Sequence, residues 1–285
     1  MDLDQTLAAA VKEAEATLAA AGVPSPRNDA ELLADHLMGV GLGRLRALML
    51  TDTPAPQGYA DLVTERAHRT PLQHITGVAY FRHLELSVGP GVFVPRPETE
   101  SVVQLVIDHA QGLRRPVIVD LGTGSGAIAA SVATEIPGSE VYAVELSPLA
   151  FAWAERNLKP LGVNLVQGDL RTAFEELDGV VDIVVSNPPY IPAEAIPHEP
   201  EVALHDPQIA LYGGGADGME LPMAAAATAA RLLQNGGYFV MEHAEVQSEW
   251  IAEHLRSQGC WTDVQSHQDL NSRERATSAI LRRPA

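Results

Sequence analysis

The chain has one cysteine, Cys260, in 285 residues. It therefore makes no internal disulfide and builds no multi-thiolate metal site. Basic side chains are also few: 19 Lys and Arg stand against 37 Asp and Glu, for a net charge of −18. Gripping a phosphate backbone needs clustered Lys and Arg, so no direct nucleic-acid partner is expected. The imbalance is uneven, with seven basic and eleven acidic residues in 1–90 against 12 and 26 in 91–285. No apolar run approaches the ~18 uncharged residues of a membrane span. Met1 to Thr6 carry two Asp and no basic residue ahead of an Ala-rich run, which is wrong for a secretory leader; the cytoplasm is the expected compartment. His198, His205 and His243 lack ligand spacing, so no metal is expected.

Composition is otherwise that of a globular protein, 46% hydrophobic and 20% charged. The length suits one large domain or two ordinary ones. Leu3, Leu7, Val11, Ala14, Leu18 and Ala21 fall at steps of three or four, which predicts a helix over 3–22. A second is expected from Asn28, capped by Asn28 or Asp29, and a third over 58–68. Residues 1–71 therefore read as a small all-helical domain. Tyr80, Phe81, Leu84, Leu86 and Val88 suggest a hairpin within a linker at 72–90. From Pro116, apolar strands at 117–119, 141–144, 164–166, 182–186 and 237–242 alternate with helices at 126–135, 148–158, 220–235 and 246–258. Strands at 261–266 and 278–282 close the pattern. Such alternation implies an α/β domain over 91–285, a doubly wound Rossmann-like sheet. Its ligands bind beyond the carboxyl ends of the strands.

Asp120-Leu-Gly122-Thr123-Gly124-Ser125-Gly126 follows the first of these strands and opens a helix. Glycines there allow a tight turn and a close approach of backbone to ligand. Glu145 ends the next strand and suits two ribose hydroxyls; Asp169, with Leu170 beside it, follows the third and suits adenine. The G-x-G-x-G spacing differs from the dinucleotide pattern. Asp120 would repel a phosphate but suits a cationic amino group, which favours S-adenosylmethionine. The loop alone leaves NAD, or a plain tight turn, open.

The strand 182–186 ends in Asn187-Pro188-Pro189-Tyr190. Two prolines fix φ and remove two N–H donors. The Asn187 side-chain oxygen and the Pro188 carbonyl can then accept both N–H bonds of one planar NH₂ group, with Tyr190 stacked on its face. That constellation reads an amide or an aromatic amine. Asn187, Pro188 and Tyr190 are the candidate catalytic residues, and Pro189 joins them in binding substrate.

Together these motifs resemble the HemK/PrmC family of protein-(glutamine-N5) methyltransferases that act on bacterial peptide-chain release factors. Thr70-Pro-Leu-Gln-His-Ile-Thr-Gly77 resembles the family's linker, and Phe93-Val-Pro-Arg96-Pro-Glu98-Thr-Glu100 the segment ahead of its cofactor domain. Asp206-Pro207 with Ala210-Leu-Tyr-Gly-Gly-Gly215 resembles its later loop. The resemblance implies a class I methyltransferase domain, S-adenosylmethionine as cofactor and S-adenosylhomocysteine as product. It further implies an N-terminal domain that docks the class 1 release factor, and the glutamine of a Gly-Gly-Gln tripeptide as substrate. Glu242 and Gln247 stand in the family's register, but Ala244 replaces its usual glycine. A nucleic-acid amine methyltransferase, an NAD-dependent oxidoreductase and a non-catalytic binding module are the alternatives. Arg44, Arg46, Arg66, Arg69 and Arg82 read as a solvated face or as contacts for an acidic protein partner. Arg96, Glu98 and Glu100 read either as a salt-bridged linker or as a closure over the ligands. Phe151 and Trp153 read as core.

Overall fold

The computed structural model describes residues 5–283. They divide into two compact units, one of residues 5–78 with 197–205, the other of 79–196 with 206–283. The chain thus leaves the second unit after Ile196 and rejoins it at Asp206.

The first unit is helical: α1 (Leu7–Ala20), α2 (Pro26–Met38), α3 (Leu42–Leu48), α4 (Tyr59–Ala67) and α5 (Leu72–Thr76). Thr6 caps α1, its hydroxyl accepting from the Ala9 N–H at 3.4 Å. Leu7, Ala10, Val11, Ala14 and Leu18 form the buried stripe of α1. Leu3, at the expected start of this helix, lies outside the described residues. The second helix begins two residues before the expected Asn28, because Pro26 occupies its first turn and needs no N–H partner there. Asp29 is no cap; its Oδ2 accepts from Arg66 Nε at 2.8 Å.

Arg66 is buried rather than on a solvated face. It also donates to Glu201 Oε1 at 2.9 Å, and Arg69 grips both Glu201 oxygens at 2.8 and 2.5 Å. Burial pushes the Glu201 carboxyl up, but the hydrogen bonds from Arg69 and Arg66 outweigh it and hold the group at about 2. Glu201 lies on a short helix, α9, at Pro200–His205 in the excursion through this unit; α6 to α8 precede it and are given below. Arg46 pairs with Glu31 at 2.7 Å but stays exposed, in keeping with a solvated face.

The hairpin of β1 (Val78–Phe81) and β2 (Leu84–Ser87) begins at the boundary, and from Ala79 onward it belongs to the second unit. Arg82, at the turn, donates to Glu135 at 2.6 Å. Then come α6 (Thr99–Ala110), β3 (Val117–Leu121), α7 (Ala127–Glu135), β4 (Glu140–Glu145), α8 (Pro148–Leu158), β5 (Asn164–Gln167) and β6 (Val181–Ser186). After the excursion follow α10 (Glu220–Leu232), β7 (Leu233–Glu242), α11 (Ser248–Ser257), β8 (Trp261–Gln268) and β9 (Glu274–Leu281). Seven strands form one sheet in the order β5-β4-β3-β6-β7-β9-β8. The first five are parallel, and β9 runs antiparallel between β7 and β8. Both faces are covered, as a parallel sheet requires. Ile118, Ile183 and Val185 enter one core with Val102, Val103, Val106 and Ile128. Val119, Leu121, Val184 and Phe239 enter the other with Ala225, Ala229 and Leu232. Trp153 packs against the small cluster of Val88, Val92 and Val94, in keeping with a core role. No described helix is long and apolar enough to cross a membrane.

Removing Glu201 leaves Arg66 buried with half its charge compensation gone. Glu201→Ala is expected to cost about 3 kcal/mol, measured as a lower midpoint in urea. The wild-type contribution is fully present above the ordinary glutamate range and is lost as pH falls toward about 2.

Candidate active site

Strand order reverses at β3, which has β4 on one side and β6 on the other. In doubly wound sheets this reversal opens a crevice at the carboxyl edge. Asp120 lies in β3, Glu145 ends β4, Asp169 follows β5 and Asn187 follows β6, so the topology brings all four predicted residues to one edge.

The glycine loop turns away from β3 under backbone control. Gly122 N–H and Thr123 N–H both donate to the Val144 carbonyl, at 3.0 and 2.9 Å. Gly122, Gly124 and Gly126 have φ of +76°, +58° and +86°, a region closed to most other residues. A Cβ on Gly126 would come within 2.8 Å of Leu158, whereas one on Gly124 would meet nothing within 4 Å. The third glycine is thus required for packing, and the middle of the loop faces open space. Leu170 lies beside Gly122, its Cδ2 4.0 Å from where a Cβ would stand. Ser125 is buried, and its carbonyl accepts from Asn157 Nδ2 at 2.8 Å.

The acidic groups differ in how they are held. Asp120 Oδ2 accepts from Thr123 Oγ1 at 2.5 Å and from Ala129 N–H at 3.2 Å. Its Oδ1 is buried without a hydrogen-bond partner. Burial raises the Asp120 carboxyl to about 7, against those two hydrogen bonds and with help from the nearby Glu145 charge. Glu145 accepts from Gly124 N–H at 2.8 Å and Ser147 N–H at 2.7 Å, and burial raises it too. Asp169 is held by Arg171, whose Nη1 donates to it at 3.0 Å.

At the end of β6, Ser186 Oγ donates to the Leu121 carbonyl at 2.7 Å and ties β6 to β3 just before Asn187. Asn187 Nδ2 donates to Thr99 Oγ1 at 3.2 Å, which leaves Oδ1 as its acceptor. The peptide after Pro189 is clamped by a loop. Ile191 N–H donates to Leu211 O at 2.8 Å, and Gly213 N–H to Ile191 O at 3.0 Å. A Cβ on Gly213 would lie 1.9 Å from Gly218 O and 2.7 Å from Pro189 O. Only glycine allows that approach.

The family description "PrmC N-terminal domain" matches residues 9–77, and "Methyltransferase small domain" matches 83–200. A curated relative from Streptomyces coelicolor, named release factor glutamine methyltransferase, is 51% identical over 276 residues, 96% of this chain and 97% of its own. The chain belongs to the release factor glutamine methyltransferase family. A relative from Streptomyces pristinaespiralis named 4-amino-L-phenylalanine/4-methylamino-L-phenylalanine methyltransferase is 39% identical, covering 93% of this chain and 92% of its own. Among solved structures, the catalytic domain of hMettl16 in complex with MAT2A 3'UTR hairpin 6 matches with a TM-score of 0.56 at 15% identity. It covers 78% of this chain and 82% of its own, which shows the shared class I methyltransferase fold.

Neither Thr99 nor Glu242 stands out as a site residue from the sequence of this family member. Thr99 opens α6, a helix overlooked because Pro90, Pro95 and Pro97 precede it. The spacing of Val102, Val103, Val106 and Ala110 carries its signal. Glu242 ends β7, and its Oε2 accepts from Thr99 Oγ1 at 2.7 Å. Tyr190 donates to Glu242 Oε1 at 3.4 Å. Burial raises Glu242 to about 7, with Thr99 and Arg275 opposing and Glu98 adding to the shift. Gln247 donates to the carbonyls of Tyr190 and Asp217 at 2.9 and 3.2 Å. Ala244, with φ −69° and ψ 147°, needs no glycine. Arg96 pairs with Asp206 at 3.1 Å, as the salt-bridged reading expects of it, and Glu100 accepts from the Arg82 backbone N–H at 2.9 Å. Among the described residues no group of three or more His, Cys, Asp or Glu is placed to hold a metal ion.

Asp120 and Glu242, both near 7 when folded, keep protons that an unfolded carboxylate releases near 4. The folded form therefore binds more protons in that window, and stability is expected to fall as pH rises from about 4 to about 7. Urea unfolding across pH measures this, and Glu242→Gln should make the decline shallower.

Proposed function

We propose that this chain transfers the methyl group of S-adenosylmethionine to the side-chain amide nitrogen (N5) of the glutamine in the Gly-Gly-Gln motif of class 1 peptide-chain release factors. The observation that carries this reading is the fixed amide of Asn187, its Oδ1 left as acceptor, on the same sheet edge as the glycine loop and Glu145. The 51% identity to a relative of that name supports it. An arylamine offers the same two N–H donors, and the relative at 39% identity is named for such a substrate. The closer similarity favours the amide.

The residues fit the cofactor. The unpartnered, buried Asp120 Oδ1 is an acceptor awaiting a donor, and a cationic amino group satisfies it where a phosphate would be repelled. Open space at Gly124 leaves room against the loop. Asp120, Gly122, Thr123, Gly124, Ser125 and Gly126 form the cradle in this reading. Glu145 takes the ribose hydroxyls on its remaining lone pairs, and Asp169 and Leu170 border the adenine; Asn187 borders both ligands. S-adenosylmethionine, when bound, supplies an electrophilic methyl on a sulfonium. Asn187 Oδ1 and the Pro188 carbonyl accept the two amide N–H bonds and hold the nitrogen in one orientation. Both acceptors bind more strongly as positive charge develops on that nitrogen. Pro189 keeps the turn rigid, and Tyr190 packs on the amide plane. In place of the expected division at 71 and 91, the helical unit of residues up to 78 with 197–205 docks the factor in this reading, and the second unit, hairpin included, carries the transfer. The cytoplasm, where termination occurs, is the compartment this reading implies.

Labelled S-adenosylmethionine should mark a purified class 1 factor and leave its Gly-Gly-Gln Gln→Ala version unmarked. Label in both would move the site elsewhere in the factor, and label in neither, with cofactor bound, would reject the substrate. Asn187→Ala is expected to lower kcat by roughly 10²–10³-fold, a larger effect than on cofactor affinity, because Asn187 only borders the cofactor. Because a cation on Asp120 favours its ionised form, cofactor affinity should rise as pH passes through about 7, by titration calorimetry. Asp120→Asn should abolish that dependence.

A further inference from the structure

We propose that Thr99 and Glu242 form a polarity relay that fixes which end of the Asn187 amide faces the substrate. The inference rests on the proposed amide-methylating role and adds two positioning residues to it. Three contacts carry it: Thr99 Oγ1 to Glu242 Oε2 at 2.7 Å, Asn187 Nδ2 to Thr99 Oγ1 at 3.2 Å, and Tyr190 Oη to Glu242 Oε1 at 3.4 Å.

The logic is one of proton counting. Glu242 is raised by burial to about 7, so well above that pH it is ionised, and an ionised carboxylate only accepts. A threonine hydroxyl has one proton, and Glu242 takes it. Only lone pairs remain on Thr99 Oγ1, so the group beside it must donate. Asn187 can donate only through Nδ2, and its Oδ1 is thereby turned to the opposite side. An asparagine amide is nearly symmetric in shape, so sterics alone do not choose between its two faces. The choice matters, because an outward NH₂ would offer donors to a substrate that itself brings two N–H bonds. Glu242 is only 2% exposed and Thr99 only 4%, so water does not compete for either group. Tyr190 donates to the second carboxylate oxygen, so the same acid also sets the ring expected to lie on the amide plane.

This relay predicts an unusual pattern of variants. Thr99→Val keeps the shape and removes the hydroxyl, so Asn187 loses its bias. The expected loss in kcat is about 3- to 10-fold, the value of one hydrogen bond, with the dissociation constant for S-adenosylmethionine unchanged. Thr99→Ser keeps the hydroxyl and should restore kcat. Glu242→Leu leaves the Thr99 proton with no carboxylate, so it turns to Asn187 Oδ1 and holds the amide the wrong way. That variant should be slower than Thr99→Val. Adding Thr99→Val to Glu242→Leu removes the misdirecting hydroxyl, and kcat should then rise toward that of Thr99→Val alone.

The experiment is methyl transfer to a class 1 release factor, well above pH 7 so that Glu242 is ionised, by wild type, the three single variants and the double variant, with cofactor affinity measured for each. Recovery in the double variant with rescue by Thr99→Ser supports the relay. A double variant as slow as, or slower than, Glu242→Leu overturns it, as does wild-type kcat in Thr99→Val. Should Glu242→Leu fail to fold, the Thr99→Val and Thr99→Ser pair decides alone. A wild type that binds cofactor but labels no factor rejects the substrate reading instead, so the two failures are distinct.

Discussion

Parallel pairing of β3 with β4 and β6 is the constraint on which the remainder rests. Leu121 stands opposite Val144 on one side and Ser186 on the other. That register puts Asp120, Glu145 and Asn187 on a single edge. The side-chain period of a strand is two, so a slip of one residue in β3 would exchange the faces of Asp120 and Leu121. The pairing is reinforced outside the ladder by two loop N–H groups on the Val144 carbonyl and by the Ser186 hydroxyl on the Leu121 carbonyl. The position of the site is thus a consequence of backbone hydrogen bonds made mostly by apolar residues.

Around that edge the protein accepts local costs. Asp120 and Glu242 are carboxylates in places that would favour neutral groups, and both are raised to about 7 by burial. A cluster optimised for stability would hold neither. The glycines at 213 and 218 carry a related cost in chain entropy, because they lie where any Cβ would strike the backbone of residues 189–191. Two prolines and a glycine-lined loop immobilise one short peptide, the one that carries the candidate acceptors. Rigid positioning of that kind supplies rate without requiring a charged base.

The helical unit solves a different problem. Its least exposed arginines are consumed by its own carboxylates: Arg66 by Asp29 and Glu201, and Arg69 by Glu201. A chain with so few cations has placed these two in internal pairs. Glu201 belongs to a stretch that leaves the catalytic unit only a few residues after Tyr190 and returns at Asp206. The polypeptide therefore joins the two units both through residue 78 and around this excursion.

Much of the architecture was readable from residue order. The span of α8, the existence of β3 to β7 and the glycine loop after β3 follow from periodicity and turn chemistry, which are local. The Asn-Pro-Pro-Tyr element was equally plain, since two adjacent prolines fix φ, remove two N–H donors and end the strand. Three things were not readable. Helix α6 was hidden behind prolines, which end one pattern without announcing the next. The carboxylate that Arg66 and Arg69 share, Glu201, lies 135 and 132 residues away from them, beyond any local pattern. Thr99, Asn187 and Glu242 are 88 and 143 residues apart along the chain, counted from Thr99, and meet only when α6, β6 and β7 pack together. The sequence by itself determined which chemical groups exist and on which element each one sits, because helix and strand periods are short-range. Tertiary structure alone decided which group hydrogen-bonds to which, because donors and acceptors find their partners across the sheet only after its register and its helices are in place.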